Sequence, residues 1–354
     1  MKKGSTEGKF VGLDISDKQG TFVVLDEDGR IVEEGKATMT LAGLTQAFGE
    51  RDSCRIALET GTHSPWASRA LADMGHEAIV ANARQIPLIF RSNRKNDRLD
   101  ALSLAKLARL DPDLLHPISH RSAQAQQDLA VLRSRAALVG SRASLINHVR
   151  GVVKSMGGRL PSCSAEAFVR KAASQIPDGL RPALTPVLET IAELSKRIAG
   201  YDREIERIAS ERHPDAAGPR QVNGVGPITS LAFVLTLEDS RRFRRSRDVG
   251  PYLGLTPRRD QSGNSDPQLH ITKAGDDFLR KLLTECAHYI LGPFGTDCDL
   301  RRWGLKLAGT NNKRTRKRAI TAVARKLAVL LHRLWSTGEV YEPLRVSLAT
   351  EKAA

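Results

Sequence analysis

Two spacings of apolar residues divide the chain. Up to about residue 82 they alternate in short runs. KFVGLDI (Lys9–Ile15), GTFVVLD (Gly20–Asp26) and Ile31–Ala37, with Asp28 and Gly29 as a turn signal, predict a three-stranded meander. CRIALE (Cys54–Glu59) and HEAIVAN (His76–Asn82) predict two further strands. They alternate with helices over Leu41–Phe48 and Pro65–Met74, and Arg98–Leu110 has helical spacing. From Asp128 to Val153 the period lengthens to a heptad seam through Leu129, Leu132, Ala136, Val139, Ala143, Ile146 and Val149. A second seam runs through Leu184, Leu188, Ile191, Ile198, Tyr201, Ile205 and Ile208. Gly157, Gly158, Pro161 and Pro177 interrupt the segment between them, so two long antiparallel helices are expected, with a short helix in Ser162–Gln175 at their tip. The seam serves either an internal hairpin or a contact between subunits.

From Gly218 the chain turns to Gly, Pro and Arg. Helices are expected near Arg247–Gly254, Asp276–Leu291, Leu300–Leu307 and Arg314–Trp335, with a polar loop at Thr256–Gln268. The expected organisation is a mixed α/β domain over 9–120, coiled-coil helices over 121–215, a mostly helical domain over 218–336 and a tail over 337–354. Three strands followed by alternating helix and strand match a ribonuclease-H-like sheet, so the fold class is α/β plus α.

Charge sharpens the division. The 354 residues carry 55 Lys plus Arg against 40 Asp plus Glu, a net +15. Residues 1–110 hold 16 basic and 15 acidic residues, so nearly all of the excess falls later. It concentrates at Arg241, Arg242, Arg244, Arg245 and Arg247, and again at Lys313, Arg314, Arg316, Lys317 and Arg318. Such clusters contact phosphates and make binding salt-dependent. Lipid attachment would want aromatics opposite a basic helix face, and aromatic residues make up only 5%. No apolar stretch reaches the roughly 18 residues of a membrane span, and no h-region follows the N-terminus. The expectation is therefore a cytoplasmic protein, associated with the nucleoid during its reaction. Cys54, Cys163, Cys286 and Cys298 form no CxxC pair, which argues against a zinc site or disulfide framework.

Four acids stand where a metal site would need them. Asp14 (VGLDIS) and Glu59 (IALETG) end strands, and Asp97 and Asp100 (RKNDRLDA) share one helix face. Gathered together they would hold Mg²⁺ through hard oxygen ligands and clamp the oxygens of a phosphodiester. Gly224 and Gly226 in QVNGVGPITS precede an apolar helix whose N-terminus is suited to a phosphate. Ser262 in DQSG lies in the polar loop with Arg258, Arg259 and Lys273, cations able to contact a phosphate. Ser265 is a neighbouring alternative.

These motifs resemble the DEDD transposases of bacterial insertion sequences, the bridge-RNA-guided recombinases. VGLDIS, ALETG and the KNDRLDA run look like the three acidic motifs. NGVGPITS, RRFRRSRDVGPYLGLTPRRDQSG and ITKAGDDFLRKLL look like the C-terminal transposase domain, so the resemblance covers roughly 10–335. It implies a RuvC-like first domain with Mg²⁺ on the acids and a catalytic serine at Ser262 that forms a phosphoserine link with DNA. It also implies a composite active site, a tetramer, and a noncoding bridge RNA pairing with donor and target DNA. VGLDIS followed by a hairpin also resembles the phosphate loop of actin-like kinases, but the later half carries heptads and Arg clusters in place of the motifs such kinases need. A noncatalytic nucleic-acid-binding protein is the remaining alternative.

Overall fold

The computed structural model describes residues 8–82, 85–86, 96–267, 269–309 and 312–345. Arg94 and Lys95 beside the third acidic motif, Gln268 at the end of the polar loop, and 346–354 of the expected tail lie outside them. The chain forms two compact units, 1–123 and 124–354.

In the first unit the strands are β1 (Phe10–Ile15), β2 (Gln19–Leu25), β3 (Ile31–Thr38), β4 (Arg55–Glu59) and β5 (Glu77–Ala81). They form one sheet in the order β3-β2-β1-β4-β5. The β1–β2 and β2–β3 pairs are antiparallel, while β1–β4 and β4–β5 are parallel. This mixed sheet is compatible with the ribonuclease-H-like arrangement. Parallel pairing requires crossovers, supplied by α1 (Leu41–Phe48) between β3 and β4 and α2 (Ser64–Asp73) between β4 and β5. The strand period of two sorts side chains between the faces. Val11, Leu13, Ile56 and Leu58 pack with Leu44, Phe48 and Leu71 of α1 and α2. Ala57 and Ile79 face the other way, against Leu104, Leu107 and Ala108 of α3 (Asp97–Leu110).

The second unit begins with the long hairpin, α4 (Ala123–Ser155) and α5 (Arg181–Glu211). Its antiparallel register is marked by Arg135 Nε donating to Asp202 at 2.6 Å and Arg142 Nη1 donating to Ser195 Oγ at 3.2 Å. At the tip Ile146, Val149 and Val153 bury against Phe168, Leu184 and Ile191. At the base Leu129, Leu132, Ile205 and Ile208 join the core of the C-terminal helices. The buried seam positions are thus satisfied within one chain, and the hairpin shares its base with the domain that follows it. That domain comprises α6 (Pro227–Leu237), α7 (Asp277–Leu291), α8 (Asp299–Ala308) and α9 (Lys313–Thr337). Residues Thr229–Leu237 of α6 are buried on every side, as expected of a helix with no polar face. Among the described residues no helix is long and apolar enough to cross a membrane.

Candidate functional site

The acids of the first unit lie toward one end of the sheet, where α3 packs closely on β1. Gly12 faces α3, and a Cβ there would meet the Ala101 carbonyl oxygen at 1.8 Å and the Ala105 nitrogen at 2.5 Å. The helix runs antiparallel to β1, because Arg55 Nη1, level with Phe10, donates to the carbonyl of Ala108 near the helix C-terminus at 3.2 Å. The N-terminal turn of α3 therefore lies toward the carboxyl ends of β1 and β4. Asp14 is two residues past Gly12 and so on the same face; Glu59 follows Leu58, the register partner of Leu13, and shares that face. Asp97 is about 6 Å of helix rise before Ala101, close to the ~6.6 Å of strand between Gly12 and Asp14.

Asn96 caps α3, its side chain accepting from Arg98 N at 2.9 Å, which leaves Asp97 and Asp100 in the first turn. Arg98 forks onto Glu34 of β3, with Nε to Oε2 at 2.8 Å, and this pairing holds the Glu34 carboxyl below its usual range. Asp97 is exposed, Asp14 and Glu59 are half-buried, and Asp100 is 8% exposed. The four share one end of the sheet. Among the described residues, however, no group of three or more His, Cys, Asp or Glu side chains is set to hold a metal ion.

In the second unit the stretch expected as a polar loop is a two-legged arm. Thr272 N donates to Thr256 O at 2.9 Å, Arg258 N donates to His270 O at 2.8 Å, and Pro257 bridges Ile271. At the tip Ser262 N donates to Ser265 O at 3.1 Å and Ser265 N to Ser262 O at 2.9 Å, with Gly263 at φ +54° in the turn. Ser262 and Ser265 are thus cross-strand partners, both exposed. Arg259 accompanies them, bonded to Gln261 at 2.6 Å and 3.7 Å from Asp266. The foot of the arm is where the glycines matter. A Cβ on Gly254 (φ +66°) would lie 2.3 Å from Ala274 backbone, and one on Gly275 (φ +75°) would lie 2.1 Å from Tyr252 O. Only glycine tolerates both the approach and the conformation. Lys273 between them also has positive φ, +54°, which is uncommon for a side-chain-bearing residue.

The basic clusters differ in their surroundings. Arg241 pairs with Asp239 at 3.0 Å, and Arg245 with Asp248 at 3.5 Å. Arg242 donates to Leu237 O at 3.2 Å and lies 5.8 Å over the Tyr252 ring. Arg244 is exposed. Lys313, Arg314, Arg316, Lys317 and Arg318 are all exposed along the first turns of α9, which has no acidic residue in its first turn. Gly224 has φ +91°, and a Cβ there would meet the Tyr289 ring at 2.7 Å; Gly226 is the N-cap of α6, with open space beside it.

Residues outside the sequence-derived set hold these segments. Arg280 Nη1 donates to Leu253 O at 3.0 Å and Ala274 O at 2.9 Å, bracing both sides of the arm's foot. The signal for it was its place in GDDFLRKLL. Asp276 caps α7 through Leu279 N at 2.9 Å and accepts from Arg133 at 2.8 Å. His332, 3% exposed, fastens the Arg241–Arg247 segment. Its Nε2–H donates to Ser240 O at 3.0 Å, leaving Nδ1 to accept from Ser246 Oγ at 2.9 Å. In the first unit the Ser64 hydroxyl donates to Gly61 O at 2.8 Å, and accepts from Gly61 N at 3.0 Å and from His120 Nε2 at 2.8 Å. It thereby fixes the loop that follows Glu59.

A mixed five-stranded sheet with acids at its strand ends, joined in one chain to a basic helical unit carrying a braced serine arm, defines a basic α/β-plus-α protein suited to handling nucleic acid. Residues 11–157 match the family model described as Transposase, and residues 220–293 match that of the Transposase IS116/IS110/IS902 family. The chain belongs to this IS110-type family of DEDD transposases. It is 28% identical over 345 residues to the transposase for insertion sequence element IS1111A of Coxiella burnetii, covering 94% of this chain and 91% of that one. It is 27% identical to a probable family 20 transposase of Pseudomonas aeruginosa, covering 94% and 98% respectively. With the transposase for insertion sequence element IS1328 of Yersinia enterocolitica it shares 27% identity, over 69% of this chain and 73% of that one.

Proposed function

We propose that this transposase cleaves and rejoins DNA with Ser262 as the nucleophile and with Asp14, Glu59, Asp97 and Asp100 as the seat of Mg²⁺. The reading rests chiefly on Ser262 standing exposed at the tip of an arm whose foot is held by Gly254, Gly275 and Arg280. A hydroxyl so presented is accessible to a backbone phosphate, and the cations of the arm offset the charge that develops there. In the step, the Ser262 Oγ–H bond is lost and an Oγ–P bond forms. One P–O bond to deoxyribose breaks, and its oxygen takes a proton to become a free hydroxyl. Attack of a different strand's hydroxyl on the phosphoserine reverses the balance and rejoins DNA.

The four acids offer only oxygen donors, the ligand type that Mg²⁺ takes. When bound, the ion would supply Lewis-acid stabilisation of a phosphoryl oxygen. The Arg clusters and the glycines of the α6 N-terminus contact phosphates. Strand exchange needs several active sites, so the protein works as a homo-oligomer, a tetramer by family resemblance, and a bridge RNA guides it to donor and target.

The deciding experiment mixes protein, RNA transcribed from the flanking element, Mg²⁺ and labelled donor and target DNA, and looks for a denaturant-resistant protein–DNA adduct. An adduct present in wild type and in Ser265→Ala but absent in Ser262→Ala supports the assignment. Loss in Ser265→Ala alone moves the nucleophile to Ser265. Tight DNA binding with neither adduct nor cleavage in wild type favours the noncatalytic reading.

A further inference from the structure

His63, in the loop between Glu59 and α2, is held by one ring nitrogen and presents the other. Its Nδ1 accepts from Trp66 Nε1–H at 3.0 Å, and the two rings stand edge to face at 5.9 Å and 84°. An indole nitrogen can only donate, so Nδ1 offers its lone pair and the proton of the neutral ring sits on Nε2. That Nε2–H faces Asp17 Oδ1 at 3.7 Å, too far for a hydrogen bond. The His63 side chain is 27% exposed and that of Asp17 92%, so the donor opens toward solvent beside the Asp17 turn. In this tautomer Nε2 has no lone pair for a metal ion or a proton. What it can do is donate.

The fold gives that donor a use. Leu13 and Leu58 are register partners in the parallel pair β1–β4, so Asp14 and Glu59 come next at the same level. Asp17 follows Asp14 by three residues and His63 follows Glu59 by four, and the approach of their side chains brings the two segments together beyond the strand ends that carry the acids. Three residues of chain reach at most about 10 Å, so the His63–Asp17 pair stands close to the acidic end. The loop is fixed there, because Thr60 N donates to Ala81 O at 3.1 Å and the Ser64 hydroxyl bonds both the nitrogen and the oxygen of Gly61. A donor held in place before its acceptor arrives loses nothing to reorganisation. A Lys or Arg at this point would pair with the carboxylates and compete with a metal ion for them, whereas a neutral N–H leaves them to the metal.

We infer that His63 is a substrate-binding residue of the acidic site: its Nε2–H donates to a non-bridging oxygen of the DNA phosphate seated at Asp14 and Glu59, and Trp66 fixes the tautomer that donates. Such a contact positions the strand without reading its sequence. It rests on the proposed role of the acids and adds to them a neutral donor from the loop after Glu59.

The test uses full-length protein, RNA from the flanking element, Mg²⁺, and DNA in which a methyl group replaces one non-bridging oxygen, at one phosphate at a time and as separated diastereomers. At one phosphate, wild type should form the adduct about ten-fold more slowly on one diastereomer than on the other. His63→Phe keeps a ring against Trp66 and removes the donor. It should slow the reaction on unmodified DNA by a similar factor and lose that discrimination, a coupling that a purely structural role would not produce. His63→Gln, which retains an N–H, should recover part of the rate. Ring ¹⁵N spectra should place the His63 proton on Nε2 in wild type and move part of it to Nδ1 in Trp66→Phe. Discrimination undiminished in His63→Phe, a wild-type rate in that variant, or a wild-type ring protonated on Nδ1 would overturn the inference. Should His63→Phe fold poorly, His63→Asn, too short to reach, takes its place. Absence of any adduct in wild type would defeat the serine reading alone, and the same diastereomer comparison, made on DNA affinity, would then decide the His63 contact.

Discussion

Gly12 of β1 and Ala101 of α3 meet backbone to backbone: the position a Cβ of Gly12 would take is 1.8 Å from the Ala101 carbonyl oxygen. No side chain separates strand from helix at that point, so the spacing between β1 and the first turn of α3 is set by main-chain contact. Asp14 and Asp100 inherit their separation from it.

Gly12→Ala therefore has to move the helix. Overpacking of a close-packed core costs about 1–3 kcal/mol and occasionally more, and a 1.8 Å approach to backbone places this substitution at the upper end. Chemical denaturation should show that loss, and Mg²⁺-dependent cleavage should fall further than stability alone explains. A variant as stable and as active as wild type would mean that the helix does not register the acids.

Asp14→Asn keeps the shape of the side chain and removes its charge. Cleavage in Mg²⁺ should drop by at least 10²-fold while DNA binding stays within about two-fold, since the cations proposed to contact phosphate lie in the other unit. Retention of full recombination would remove Asp14 from the metal set.

Most elements could be read in advance because their signals are local. Alternation in KFVGLDI and GTFVVLD placed β1 and β2 to within a residue, and α1 occupies Leu41–Phe48 as its spacing predicts. The strand-end positions of Asp14 and Glu59 and the shared helix turn of Asp97 and Asp100 were equally legible. What joins them was not, because the approach of Gly12 to Ala101 connects positions 89 residues apart and leaves no periodicity. The serine arm escaped for a related reason. Its pairs Arg258–His270 and Ser262–Ser265 are offset by one residue, and between Arg258 and Gln268 its residues are polar or proline and glycine, so no alternation marks two legs. Heptads announced α4 and α5 without naming the partner of each seam, and the base of the hairpin went to the C-terminal core.

Arg280 acts on the serine arm from its foot. Replacing it with Met leaves the carbonyls of Leu253 and Ala274 without their charged donor, at a cost to stability of about 1–3 kcal/mol. The rate of adduct formation should fall at least ten-fold with DNA affinity unchanged, and Arg280→Lys should recover part of it. An equal loss of affinity and rate would assign Arg280 to general packing.

His120 links stability to pH. Burial, together with the positive charges of Arg69 and Arg121, depresses its pKa below the ordinary 6.5, while its Nε2–H donates to Ser64. Between the folded pKa and 6.5 the unfolded chain binds the proton that the folded chain refuses, so stability rises with pH through that window. This contribution is complete above about pH 6.5 and is lost as pH falls through the lower folded value. Melting temperatures measured from pH 7.5 down to pH 5 should therefore fall in wild type. His120→Gln retains a donor for Ser64 and cannot titrate, so it should show a shallower decline. An identical slope in the two proteins would place the acid sensitivity elsewhere.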